Sequence, residues 1–312
     1  MSPDQPQISV VIPVYNERPN LERLHAELTE AMESYGRSYE IVAVDDGSRD
    51  GSFEELRTLH QRDPRVRVVR LARNFGQNPA LYAGFAQARG AIIVTIDADL
   101  QNAASDIPKL VDKLGEGYDL AQGWRAQRED NLFRRTVSRA INKAVSRLTG
   151  VVTQDLGCGM KAYRREVVER LSLSTHRSRY LPAETAWLGV KVGEVQVEHR
   201  ERAAGESKYG LFTLLRVNFD MIASISTAPA QLIWIAGLGT AFIGFAMAFR
   251  ILYLRMVLGN FNELATVAAL FFFVAGVQML CISILCEYAS RIYLEVQGRP
   301  YYLIGEVLDE PE

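Results

Sequence analysis

The chain has 312 residues, with 35 Lys and Arg against 37 Asp and Glu and a net charge of -2. That near-neutral balance excludes a general nucleic-acid binder, and the length fits one large domain or two smaller ones. Three cysteines (Cys158, Cys281, Cys286) and four histidines (His25, His60, His176, His199) give neither a disulfide framework nor a zinc-type cluster.

The opening MSPDQPQ is polar and lacks the basic and apolar regions of a secretion signal, so the N-terminal part is expected to stay in the cytosol. Residues 8–14 (ISVVIPV) form a continuous apolar run, the pattern of a strand covered on both faces. Leu21, Leu24, Leu28 and Met32 then recur at helical spacing with charges between them. Residues 40–48 (EIVAVDDGS) predict a second strand that breaks into a turn, and residues 66–71 (VRVVRL) a third. Pro79 sits where a helix can begin, ALYAGFAQARG reads as that helix with Gly90 as its stop, and residues 91–97 (AIIVTID) are a fourth strand. Strand–helix alternation of this kind implies a mostly parallel sheet covered by helices, an α/β domain over residues 1–210.

Beyond the fourth strand the chain changes character. In residues 133–148, Phe133, Val137, Ile141, Val145 and Leu148 make one stripe, while Arg134, Arg135, Arg139, Lys143 and Arg147 largely occupy other faces. Such a helix suits an anionic membrane surface, or packs on the sheet as an ordinary surface helix. Residues 125–150 hold seven basic and two acidic side chains, a net charge of +5. Residues 211–229 begin with a second amphipathic pattern that reads as an interfacial helix. Residues 230–249 and 264–286 follow as charge-free runs of 20 and 23 residues, within an expected membrane region 230–286. Twenty helical residues span about 30 Å, the thickness of a bilayer core. A hairpin of two spans returns the chain to its starting side. The α/β domain and the tail, residues 287–312, are then both expected in the cytosol, on a multi-pass membrane protein. The link between the spans carries Arg250, Arg255 and Glu263, so charge asymmetry adds little to that orientation.

Four polar clusters lie at strand ends, where open parallel sheets bind ligands. They are PVYNE (13–17), DDGSRD (45–50), RNFGQ (73–77) and DADLQN (97–102). Carboxylates in the second can accept from ribose hydroxyls or a base N–H, although Asp-Gly-Ser is also a plain turn. In the fourth, alternation puts Asp97, Asp99 and Gln101 on one face as long as the chain stays extended. Two unit charges about 4 Å apart repel by roughly 4 kcal/mol at an effective dielectric of about 20. A divalent cation would relieve that repulsion and hold a diphosphate. Neither GxGxxG after the first strand nor GxxxxGK[ST] occurs, which removes the usual dinucleotide and P-loop phosphate cradles.

VVIPVYNE, VDDGSRD, RNFGQ and DADLQN together resemble the nucleotide-sugar half of the GT-A, family 2 glycosyltransferases. QDLGCGMKAYRR (154–165) and ERAAGESKYG (201–210) narrow the resemblance to the polyprenyl-phosphate sugar transferases. That group includes dolichyl-phosphate mannose synthases, bactoprenol glucosyltransferases and undecaprenyl-phosphate 4-deoxy-4-formamido-L-arabinose transferases. The order of every motif is most similar to the last, over nearly the whole chain.

The resemblance implies a GT-A domain followed by interfacial helices and a two-helix transmembrane hairpin, and roles for single residues. Pro13, Tyr15, Glu17 and Asp46 would line the nucleoside pocket, with Asp45 in support. Asp97, Asp99 and Gln101 would bind Mg2+ or Mn2+, with Asp99 essential to transfer. Arg202, Ser207 and Lys208 would close over the diphosphate; Arg125, Arg134 and Ser138 would receive the lipid phosphate. Asp155 is the implied catalytic carboxylate, as base or positioning group, or else it caps the turn before Gly157-Cys158-Gly159. The implied partners are a nucleotide sugar, polyprenyl (undecaprenyl) phosphate and the membrane, in a homotetramer. The implied reaction is an inverting displacement, with UDP the favoured leaving nucleotide. A phosphate acceptor, with a second pKa near 6, is already largely ionised and needs a general base less than a hydroxyl does. A dolichyl-type enzyme using GDP-mannose, a processive polysaccharide synthase and a non-catalytic membrane scaffold are the alternatives.

Overall fold

Residues 8–14 do form a strand with both faces covered. β1 (Ile8–Val14) buries Val10 and Ile12 on one side of the sheet and Val11 on the other. The structure, a computed structural model, describes residues 5–125, 155, 158–173, 181–198, 200 and 298–309, with scattered positions between 267 and 297. The other strands are β2 (Tyr39–Asp45), β3 (Val66–Leu71), β4 (Ile92–Thr95), β5 (Leu120–Arg125), β6 (Lys161–Arg164), β7 (Val192–Val197) and β8 (Ile304–Leu308). They make one sheet in the order β7-β5-β6-β4-β1-β2-β3-β8. The β1–β2, β2–β3, β1–β4 and β5–β7 pairs are parallel; β4–β6, β5–β6 and β3–β8 are antiparallel. The chain leaves β1 toward β2 on one side and comes back to β4 on the other, so a switch point lies between β1 and β4. Crevices at such points are where open α/β sheets bind ligands.

Helices α1 (Arg18–Tyr35), α2 (Ser52–Arg62) and α4 (Ile107–Gly115) supply buried residues to one core, together with Val10, Ile12 and Val94. α3 (Gln77–Gln87), α5 (Arg165–Leu173) and α6 (Leu181–Trp187) supply the other, with Val11, Val44, Val69, Ile93 and Tyr163. In α1 the buried residues include Leu21, Leu24, Leu28 and Met32, the stripe that the spacing predicts. Each such side chain contributes about 1.5–3 kcal/mol on burial.

β2 stops at Asp45 and breaks into the expected turn; the Asp46 N–H still donates to the Val14 carbonyl at 2.8 Å, while its carboxylate binds the loop beyond β3. Two expectations change. β4 stops at Thr95, so Asp97 and Asp99 lie beyond the strand rather than in it. Gly90 does not stop α3, which ends at Gln87; a Cβ at Gly90 would stand 2.6 Å from the Ser9 nitrogen, so the glycine permits a close backbone approach.

The tail, expected as a plain cytosolic segment, holds the edge strand β8. Val68 to Leu71 pair with Leu308 to Ile304, and the Ala72 N–H donates to the Leu303 carbonyl at 2.9 Å. Asp309 accepts from Arg89 at 2.8 and 3.0 Å and pairs with Arg67, while Tyr301 meets Tyr82 edge-on at 5.6 Å.

Residues 1–221 with 300–312 form one compact unit, and residues 222–299 a second. In the second unit the described residues are mostly helical, and Phe271, Val274, Ile282, Leu285, Ile292 and Val296 are exposed. Among the described residues no helix is long and apolar enough to cross a membrane. The expected span 230–249 lies outside the described residues, as does most of 264–286 and all of the helices expected at 133–148 and 211–229.

Candidate active site

The C-terminal ends of β1, β2, β4 and β5 and the start of β6 share one edge of the sheet, where those predicted residues that the structure describes lie. At the β1 end, Pro13 and Tyr15 lead into a turn in which Asn16 has φ 54. Asn is among the few residues that tolerate that conformation. The turn is laced to the β2 loop by hydrogen bonds. The Asn16 and Glu17 N–H groups donate to Ser48 Oγ and Ser52 Oγ at 3.0 Å each, Arg18 N–H to Asp50 at 3.1 Å, and Arg49 N–H to Asn16 Oδ1 at 2.9 Å. Glu17 accepts from Asn20 at 2.7 Å.

The two acids of DDGSRD are buried. Asp45 accepts the Ser48 N–H at 3.2 Å, and burial raises its pKa. Asp46 accepts the Phe75 and Gly76 N–H groups at 2.7 and 2.8 Å. Burial pushes its carboxyl up to about 6 despite those donors, with the neighbouring Asp45 charge adding to the rise. Asp46 thus anchors the RNFGQ loop at this edge of the sheet. Gly47, at φ 69, lets that loop settle: a Cβ there would lie 2.6 Å from the Asn74 nitrogen. Arg73 stacks over Phe75 at 4.3 Å.

Past β4 the chain turns at Ala98 and Asp99, and Leu100 takes φ 61. The extended alternation that would align Asp97, Asp99 and Gln101 is therefore absent, and a turn brings the acids into the site. Asp97 Oδ1 accepts from Gln77 Nε2 at 2.7 Å, and Asp99 Oδ1 accepts the Gln101 N–H at 3.2 Å. The Gln101 carbonyl accepts from the Arg200 N–H at 2.8 Å. Gly159 backs Asp97 so closely that a Cβ would fall 2.1 Å from Oδ2. Among the described residues no group of three or more His, Cys, Asp and Glu side chains converges on a metal position. Asp97 and Asp99 offer two carboxylates, the usual protein share of a Mg2+ or Mn2+ site that is completed by substrate phosphates and water. The residues present fit such an ion.

Asp155 is buried, and its two oxygens accept from Arg125 Nε and Nη2 at 2.6 and 3.0 Å. This is a bidentate pair, the strong geometry for guanidinium and carboxylate. Gln122 Nε2 donates to the Asp155 carbonyl at 2.5 Å. Lys161, which the sequence reading passed over, stands opposite Thr95 on one side and Gln122 on the other. It is 5% exposed. Burial lowers its pKa to about 8, against the pull of Cys158, Asp155 and Asp97. Burial also raises the Cys158 thiol. A lysine between Met160 and Ala162, both fully buried, was the signal available in the sequence. Arg134, Ser138, Arg202, Ser207 and Lys208 lie outside the described residues.

The model of Glycosyl transferase family 2 matches residues 9–172, more than half of the chain. The chain belongs to this family. This family 2 glycosyltransferase is 43% identical over 305 residues to the undecaprenyl-phosphate 4-deoxy-4-formamido-L-arabinose transferase of Pseudomonas aeruginosa (strain LESB58), covering 96% of this chain and 90% of the relative. It is 39% identical to the protein of the same name from Yersinia pestis (strain Pestoides F), over 99% of this chain and 96% of the relative. Among solved structures it is similar to glucosyl-3-phosphoglycerate synthase from Mycobacterium tuberculosis in complex with Mn2+, UDP-glucose and phosphoglyceric acid. That likeness has a TM-score of 0.48 and 23% identity, covering 68% of this chain and 76% of the other.

Proposed function

We propose that this family 2 glycosyltransferase moves a sugar from a UDP-sugar to undecaprenyl phosphate at the cytosolic face of a bacterial inner membrane. The observation that carries the reading is the similarity to undecaprenyl-phosphate sugar transferases along almost the whole chain. Pro13, Tyr15, Glu17, Asp45 and Asp46 form the nucleoside end of the site. Asp97 and Asp99, with Gln101 beside them, would hold Mg2+ or Mn2+, which when bound supplies charge to the leaving diphosphate. Arg202, Ser207 and Lys208 belong to the diphosphate side, and Arg134 and Ser138 join Arg125 on the acceptor side.

The acceptor oxygen is already anionic, so the protein's task is to bring it to the anomeric carbon and exclude water. Arg125 suits this, since a guanidinium binds phosphate through paired N–H donors. Asp155 already receives two N–H groups from Arg125, which favours a positioning role: it holds the guanidinium ready at the strand end. Displacement from the opposite side inverts the anomeric centre.

Membrane attachment accords with the two charge-free runs and with the exposed Phe271, Val274, Ile282 and Leu285. β8 adds a topological argument. Residues 304–308 hydrogen-bond to β3 of the same unit as residues 1–221, so both ends lie in one compartment. Any crossings between them are then even in number, as in a two-span hairpin. A homotetramer completes the reading, checked by mass measurement in detergent.

The deciding assay follows radiolabelled sugar from UDP-4-deoxy-4-formamido-L-arabinose and UDP-glucose, with GDP-mannose alongside, into organic-extractable undecaprenyl phosphate. Transfer from a UDP-sugar with inverted configuration is expected. Transfer from GDP-mannose alone, or to no polyprenyl phosphate, would overturn the proposal.

A further inference from the structure

The RNFGQ loop has no role in the chemistry above, yet both ends of the site close on it. Asp46 grips it through the Phe75 and Gly76 N–H groups at 2.7 and 2.8 Å. One residue later Gln77 opens α3 and turns its amide to Asp97 Oδ1 at 2.7 Å. An ionised carboxylate only accepts, so the amide must present its NH2 there. Gln77 is exposed, and burial does not explain its place. The same carboxylate occupies the space that a side chain at residue 159 would need: a Cβ there would stand 2.1 Å from Oδ2, so Gly159 admits the carboxylate in this position.

We propose that Gln77 is a positioning residue for sugar transfer, fixing the direction in which Asp97 offers its carboxylate to a divalent cation and tying that direction, through residues 75–77, to Asp46 at the nucleoside end. The inference rests on the metal-held nucleotide of the proposed function. The choice of a neutral donor has a physical reason. Lys or Arg at the same distance would hold the carboxylate but repel the dication, whereas an amide orients the oxygen and leaves its charge in place.

The test uses the full chain in detergent, with Mn2+ titrated calorimetrically in the presence of UDP. Gln77→Met keeps the side-chain length and removes the donor. It is expected to raise the half-saturating Mn2+ concentration about tenfold or more, the usual effect of losing an outer partner of a metal ligand. UDP binding without metal should stay at the wild-type level, and the transfer rate should recover at saturating Mn2+. Asp97→Ala is titrated alongside. A shift in Asp97→Ala with Gln77→Met superimposed on wild type overturns the role of Gln77 and leaves the metal reading standing. Wild-type titrations in both variants overturn the metal reading itself. Loss of metal-free UDP binding in Gln77→Met would also overturn the proposal, because the amide would then be supporting the loop rather than aiming Asp97.

Discussion

From β1 to β3, the loops at the strand ends are held by backbone N–H groups. Asn16, Glu17 and Arg18 donate to side chains of the β2 loop, and Phe75 and Gly76 donate to Asp46. From β4 to β5, the edge is held by charged side chains and one close glycine. Arg125 grips Asp155, Lys161 lies buried and feels the charges of Cys158, Asp155 and Asp97, and Gly159 backs Asp97. The first half fixes a shape through its backbone. The second fixes charge in a poorly solvated place, where electrostatic interactions are strong and small displacements matter. Substitutions in the first half should therefore cost stability and nucleotide affinity together, and those in the second should cost rate at nearly constant stability.

Gly159→Ala is the most severe test of the second half. Its Cβ would displace the Asp97 carboxylate, and misplacing a reacting group by about 1 Å costs on the order of 10²-fold in rate. The expected result is that loss in kcat with Tm changed by no more than about 2 °C, since the residue sits at a strand-end loop. A large drop in Tm at wild-type kcat would break the comparison.

Gly47→Ala is the counterpart in the first half. It combines φ 69 with a Cβ 2.6 Å from the Asn74 nitrogen. Strain of this kind costs about 1–3 kcal/mol. Tm and UDP affinity should fall together while kcat at saturating donor is kept. A selective loss of kcat would show that this half, too, acts on the reacting atoms.

Lys161→Met separates charge from packing. Removing a buried ammonium ends its desolvation cost, so stability near pH 7 should hold or rise. The transfer rate should fall about tenfold, roughly 1.4 kcal/mol of lost stabilisation. The pH dependence supplies a check. Burial holds the folded pKa near 8, below the ordinary lysine value of 10.5, so between those values the unfolded chain binds more protons and stability rises with pH. That rise should disappear in Lys161→Met, as read from chemical denaturation between pH 8 and 10.5.

The parts that were legible from sequence are those built by apolar pattern. β1 and β3 have continuous apolar runs, and α1 has a clear stripe, because burial on both faces leaves few other residue choices. β8 was not legible. IGEVL is short, half exposed and joined to β3 across more than 230 residues, so its pairing is a tertiary fact that no local pattern carries. In the site, the DADLQN acids were found by type, but their geometry was misread. The alternation argument requires extended chain to residue 101, whereas Leu100 is left-handed and the strand ends at Thr95. Gln77 and Gly159 meet Asp97 from 20 and 62 positions away in the chain, which spacing does not reveal.

Asp46→Asn gives the smallest effect and the finest test of the first half. Burial lifts the Asp46 pKa in the folded chain to about 6 from 3.8. Between those values the folded chain binds more protons than the unfolded one, so this group makes stability fall as pH rises, with the loss complete somewhat above pH 6. Asp45, also raised by burial, acts with the same sign. Asp63, lowered to about 2, acts between pH 2 and 3.8 and leaves the window clear. Asn retains one acceptor for the two N–H groups, so the variant starts with a hydrogen bond lost, worth about 1 kcal/mol. The gap in Tm between wild type and Asp46→Asn should accordingly be widest near pH 4 and narrow by several degrees toward pH 7. A gap that stays constant across pH would mean that Asp46 is ionised at no extra cost. The first half would then rely on charge as the second does.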